Sequence, residues 1–240
     1  MANSLRDLFH HLPPPTRRFA RYVYRSWRSF TIAASIHARI AWGKAVRLVA
    51  RPSLPRHPGG ERFVHLGCGP INHPAFINVD AIPLPHVHYV GSIARLPMFG
   101  DDTVDFLYAS HCLEHISYHK TQEVLAEWYR VLKPGGVLRV SVPDLDRLIE
   151  IYEAAGRDAN SVIGQLYGGH DSPYNVHMTI FNRTGLQRLM TNVGFESCRI
   201  WSPHGDHLSN LSDFASYTKR IGEVDYPVSL NLEAAKPRAI

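Results

Sequence analysis

Two hydrophobic periods alternate along most of this chain. Short apolar runs of strand length stand at 62–67, 76–80, 86–91, 103–109 and 136–142, with later ones at 195–201 and 227–235. Between them the spacing turns helical. Residues 117–132 place Val124, Leu125, Trp128, Val131 and Leu132 on one face, and Lys133-Pro134-Gly135-Gly136 then breaks the helix and hands the chain to the next strand. Arg183 to Asn192 predicts a further helix, closed by Gly194. Strands alternating with helices predict an α/β domain around a mostly parallel sheet. No internal repeat interrupts the pattern.

The first 60 residues follow another pattern. Pro13-Pro14-Pro15 breaks their start, and Pro52, Pro55, Pro58 and Gly59-Gly60 form a linker at their end. Between these, Phe19, Val23, Trp27, Phe30 and Ala34 recur at helical spacing, as do Ile36, Ile40 and Trp42 to Val46. The segment predicts one or two basic helices with aromatic anchors, giving an arm over 1–60 and a domain over 61–240. Charge sharpens the division. Residues 1–60 carry eleven Lys and Arg against one acid, a net +10, whereas residues 61–240 sum to −5. The arm over 16–50 therefore suits an anionic membrane surface, or else a helical cap packed on the domain. Nucleic acid is disfavoured, because no aromatic-basic alternation continues elsewhere.

At 240 residues and 45% apolar composition the chain can bury one full core plus an appendage. Cys68, Cys112 and Cys198 are scattered and odd in number, which predicts a reducing compartment without disulfides. With no C-x-x-C pair, a structural zinc site is not expected. No signal peptide and no stretch of transmembrane length is evident. The expected location is cytoplasmic, with peripheral attachment to the inner membrane face if the arm binds lipid.

The richest chemistry lies at Val64-His65-Leu66-Gly67-Cys68-Gly69-Pro70, an apolar strand running into a Gly-x-Gly turn. Glycine lets backbone amides approach a ligand closely. Asp80 closes the next strand eleven residues later and can accept hydrogen bonds from a ribose diol. Only Ile71 to Ala75, with Pro74 among them, separate the turn from that strand, too few residues for a useful helix. A dinucleotide rests its pyrophosphate on that helix's N-terminus, so the spacing favours a nucleoside cofactor without phosphate.

The series Leu66-Gly67-Cys68-Gly69, Asp80, Leu96-Pro97 with Asp101-Asp102-Thr103-Val104-Asp105, Leu113-Glu114-His115, and Leu132-Lys133-Pro134-Gly135-Gly136 resembles class I S-adenosylmethionine-dependent methyltransferases over about residues 61–236. The resemblance implies a Rossmann-like, seven-stranded, mostly parallel sheet whose last strand, near Pro227–Ala234, inserts antiparallel. It implies S-adenosylmethionine as cofactor. The shortened first crossover resembles a predicted methyltransferase subgroup linked with surface-polysaccharide synthesis.

By that resemblance Leu66, Gly67, Cys68 and Gly69 approach the methionine part of the cofactor and Asp80 takes the ribose. Ser92 stands where the family places an acid against the adenine, with the Ile93 amide beside it, and His111 could line the cofactor. A sugar hydroxyl gains from a general base, and histidine suits that task near neutral pH. His115 is the first candidate, with Asp144 and His177 as alternatives. Asp144 with Asp146 could also hold a divalent metal, although none is predicted. The Gly- and His-rich stretch 168–177 reads as a substrate loop, and His204-x-x-His207 with Asp206 is a poor zinc site. The expected function is O-methylation of a saccharide hydroxyl on a small-molecule or glycan acceptor. The alternatives are a lipid-like or other small-metabolite acceptor, or a binding subunit that keeps the fold without activity.

Overall fold

The computed structural model describes Ala34, residues 37–203, Leu211 and residues 213–238. The segments around Pro13-Pro14-Pro15 and His204-x-x-His207 lie outside the described residues. The strands are β1 (Phe63–Leu66), β2 (Ile77–Asp80), β3 (Tyr89–Val90), β4 (Val104–Ser110), β5 (Leu132–Pro143), β6 (Glu196–Ile200), β7 (Thr218–Ile221), β8 (Val224–Pro227) and β9 (Ser229–Ala235). Seven of them form one sheet in the order β3-β2-β1-β4-β5-β9-β6. The pairs among β1 to β5 are parallel, while β9 runs antiparallel to both β5 and β6. This is the mostly parallel sheet that the pattern predicts, with the inserted antiparallel strand that the resemblance implies. β7 and β8 form a separate hairpin that the apolar pattern does not announce.

The helices are α1 over 37–49, α2 (Thr121–Val131), α3 (Leu145–Ala154), α4 (Ile163–Tyr167) and α5 (Arg183–Val193). α2 and α5 cover one sheet face. There Val124, Leu125, Trp128 and Val131 of α2 and Leu186 and Met190 of α5 pack on Val64, Leu66, Leu107, Leu138 and Val140 in one core. Burying side chains of this size stabilises by roughly 1.5–3 kcal/mol each. Asn182 caps α5 by accepting from the Gly185 amide at 3.0 Å, and left-handed Gly194 ends it.

The Lys133-Pro134-Gly135-Gly136 segment requires a correction. It does not separate α2 from β5: the helix passes directly into the strand, and these residues lie within β5. Gly135 takes φ +82, and the β4–β5 register shifts between Val104 and Phe106, so the segment absorbs the bend as a bulge.

No helix joins β1 to β2, as the spacing requires. On that side of the sheet an aromatic cluster of Phe76, Phe106, Tyr108 and Trp201, with Phe63 against it, occupies the space. The linker contributes too: the His57 ring lies 4.4 Å from that of Phe63 and bonds the Ala75 carbonyl at 2.9 Å. Farther along the same face Glu233 bridges Arg139 at 2.6 Å and Arg199 at 2.6 Å across β5, β9 and β6.

α1 docks on the loop after β2. Gly43 is buried there, where a Cβ would collide with the Pro83 carbonyl oxygen, and Arg47 donates to the carbonyls of Val87 and His88. Trp42, Leu48 and Val49 face outward. Among the described residues, no helix is long and apolar enough to cross a membrane.

Candidate active site

The carboxyl ends of the parallel strands carry the site, as in other open α/β sheets. Gly67 and Gly69 both take positive φ, +64 and +51. At Gly67 space adds to conformation, since a Cβ would stand 2.5 Å from Cys112 Cβ. The turn is braced by Asp80, whose carboxylate accepts from the Gly69 amide at 2.7 Å and the Ile82 amide at 2.7 Å. Each oxygen retains a second lone pair. Asp80 thus holds the turn and also lines a cavity of about 620 Å³.

Gly67, Ser92, Ile93, His111 and His115 line that same cavity. Ser92 accepts from the Ala94 amide at 3.1 Å, and the Ile93 carbonyl is pinned by the indole N–H of Trp128 at 2.8 Å. Three of the expected cofactor residues lie differently. Leu66 is fully buried and offers only its carbonyl, which faces the Cys112 thiol. Cys68 is buried, and burial first and the Asp80 charge second push its thiol well above the usual range. Gly69 serves the turn rather than the cavity wall, giving its amide to Asp80 and its carbonyl to His86 at 3.0 Å. A second cavity of about 650 Å³ flanks the turn on its other side, lined by His65, Cys68, Ser110, His111, Asp213 and Tyr217 among others.

Beyond β4, His111 adopts φ +49, unusual for a residue with a Cβ, while its amide still bonds the Ser141 carbonyl at 2.8 Å. A short 3₁₀ turn, Leu113–His115, follows. It buries Glu114 among three histidines. His111 Nδ1 lies 3.3 Å and His177 Nε2 3.9 Å from Glu114 Oε1, and the His115 and His177 rings are 4.9 Å apart. Burial pushes the Glu114 carboxyl up, but His111 first and then His115, when they carry charge, prevail and hold it below its usual range. Burial lowers the His177 pKa, against the opposing pull of Glu114.

The stretch 168–177 folds over this cluster. Gly168 takes φ +80, and a Cβ there would meet the Asn175 carbonyl oxygen at 2.6 Å. Asp171, Ser172, Tyr174 and Asn175 reach the cavity lined by Asp80, and a smaller one of about 220 Å³ is shared by Glu114, His115, His177, Phe214 and Tyr217. Asp144 stands apart. It caps α3 by accepting from the Asp146 amide at 3.2 Å, and it lines none of these cavities. Burial raises its pKa. No motif in the sequence gives a role to Glu114, Phe214 or Tyr217. The spacing His111-x-x-Glu114-His115 was the available signal for Glu114.

Residues 74–140 match the methyltransferase domain family. The match begins beyond the Gly67–Gly69 turn and spans β2 to the middle of β5. Over 128 residues the chain is 31% identical to the ubiquinone/menaquinone biosynthesis C-methyltransferase UbiE of Vibrio campbellii, covering 50% of this chain and 48% of that protein. The chain therefore spans about half the length of the curated relatives it matches. Among solved structures, a methyltransferase of Thermotoga maritima, described as a possible histamine N-methyltransferase, is 21% identical over 90% of this chain and 96% of its own, with a TM-score of 0.45. The 1,6-didemethyltoxoflavin-N1-methyltransferase of Burkholderia thailandensis, solved with S-adenosylhomocysteine, is 16% identical over 92% of this chain and 86% of its own, with a TM-score of 0.46. The chain is thus similar to the methyltransferase domain family and to curated methyltransferases over about half of its length.

Proposed function

We propose that the chain is an S-adenosylmethionine-dependent methyltransferase acting on a hydroxyl oxygen of a small acceptor, with a saccharide hydroxyl as first choice. The observation that carries this reading is one cavity lined together by Gly67, Asp80, the Ser92–Ile93 loop and the two histidines His111 and His115. Its walls suit a nucleoside cofactor without phosphate: a carboxylate with free lone pairs, a glycine whose Cβ would clash, and no helix dipole behind the turn. When bound, S-adenosylmethionine supplies an electrophilic methyl on sulfur. Asp80 would take the ribose hydroxyls, and the Ser92–Ile93 loop the adenine edge.

His115 acts as base. Its Nδ1 lies 3.1 Å from the Val176 carbonyl, which can only accept, so Nδ1 carries the proton and Nε2 the lone pair. Nε2 takes the acceptor's proton as the oxygen attacks, and the Glu114 carboxylate stabilises the imidazolium. Asp171, Ser172 and Asn175 supply polar groups fit for a hydroxyl-rich acceptor.

A lipid- or quinone-like acceptor is the second reading. Exposed Tyr118, Tyr167, Met178 and Ile180 form an apolar hollow next to His177, and the UbiE relatives act in quinone biosynthesis. We also assign the arm to an anionic membrane surface at the inner face of the cell membrane, on account of outward Trp42, Leu48 and Val49 within a strongly basic segment. The test is transfer of labelled methyl from S-adenosylmethionine to matched panels of glycan and quinone acceptors. Turnover on glycans alone upholds the first reading, and turnover on quinones alone the second. Failure to bind S-adenosylmethionine would sink both.

A further inference from the structure

Glu114 is 1% exposed, and neither carboxylate oxygen accepts a well-formed hydrogen bond. An ionised group so placed needs positive charge or donors close by. The three surrounding rings are wired the other way. His115 Nδ1 faces the Val176 carbonyl at 3.1 Å, and His177 Nδ1 faces the Gln165 carbonyl at 2.8 Å. His111 Nε2 lies 2.8 Å from Ser229 Oγ, whose own proton is given to the Phe214 carbonyl, so this ring too must donate from that nitrogen. When neutral, each ring keeps a lone pair on its remaining nitrogen, and that nitrogen can donate to the carboxylate only once the ring is protonated.

We propose that Glu114, His115 and His177 form a binding site for a divalent transition-metal cation, zinc being the reference ion. One carboxylate oxygen and one ring nitrogen from each histidine already lie within 4.8 Å of one another. Ligands on zinc bonds of about 2.0–2.2 Å stand roughly 3.4 Å apart in a tetrahedron, so the set closes by side-chain shifts of about an ångström. The outer shell is in place: each histidine ligand donates its other ring proton to a backbone carbonyl, the arrangement that fixes tautomer and ring orientation at metal sites. Two histidines and one carboxylate leave coordination positions open for water or an acceptor oxygen. A cation here would lower the pKa of a bound hydroxyl, the task otherwise carried by His115 as base. Metal binding itself does not rest on the methyl-transfer reading.

The test titrates Zn²⁺ alone into chelator-treated full-length protein, without cofactor or acceptor, so its outcome is separate from that of the activity assays. One zinc per chain at micromolar affinity or tighter is expected. Glu114→Gln and His177→Gln should each weaken it by more than the roughly 10–100-fold that loss of an outer partner costs a metal site. No binding at millimolar zinc overturns the proposal, as does one zinc held with unchanged affinity by folded variants. If a variant fails to fold, X-ray absorption of the cobalt-loaded wild type decides. Scattering from two imidazoles supports the site, and none or more than two overturns it.

Discussion

Asp80 does two jobs with one carboxylate, and they can be separated. Asp80→Asn keeps one acceptor for the turn but loses the charge offered to the ribose. S-adenosylmethionine should then bind roughly 10- to 100-fold more weakly, from about 1.5–3 kcal/mol for hydrogen bonds to a charged group. Calorimetric titration checks this, and an unchanged dissociation constant in a folded variant would remove Asp80 from the cofactor site. His115→Ala should act on the other quantity. General-base catalysis contributes about 10²–10⁴-fold, so single-turnover methyl transfer should slow by that order while cofactor affinity stays nearly constant. Equal loss in Asp144→Asn would contradict its place as a helix cap. Gly67, Asp80 and the two histidines after β4 were visible in the sequence because turn chemistry and strand ends leave local marks. Glu114 carries only the faint mark of the His111-x-x-Glu114-His115 spacing, because His177, sixty-three residues away, completes its cluster and no local pattern reports that meeting.

The strands and the long helices followed from periodicity because one sheet face is a single apolar core under α2 and α5. The β7–β8 hairpin did not, since its exposed positions carry no apolar alternation. Nor did the continuation of α2 into β5, because Pro134 and Gly135 signal a break wherever a bulge can equally absorb them. The helix-free crossover leaves its own trace on β1. His65 is buried between Phe76 and Tyr108, with ring centroids at 5.7 and 5.1 Å. Burial first, then His86 and His73, push its pKa down to about 3. Above pH 6.5 the ring is neutral in both folded and unfolded chains, so its protonation does not affect stability. Below that the unfolded chain gains the proton and the folded one refuses it, so stability falls by roughly 1.4 kcal/mol per pH unit down to about pH 3. Between pH 7 and pH 5 this amounts to about 2 kcal/mol. Urea unfolding at both pH values should show that loss in the wild type and a smaller one in His65→Phe.

For the molecule as a whole, a segment of charge +10 adjoins one of −5. Removing residues 1–50 should reduce co-sedimentation with anionic vesicles at low salt, by about 1 kcal/mol for each basic residue that reaches the headgroups. Equal sedimentation of both forms would exclude the membrane role. The truncated chain should also lose stability, because Gly43 and Arg47 belong to a packed seam. That seam reaches the cofactor cavity: α1 rests on Pro83, Val87 and His88, and Ile82 of the same loop is a cavity wall. Were the arm to bind a surface as proposed, and this seam to shift with it, cofactor affinity would change too. By thermodynamic linkage the cofactor must change the grip on that surface by the same factor. Under that proposal, attachment and cofactor loading would be two readings of a single equilibrium, joined through the contact of Gly43 with Pro83.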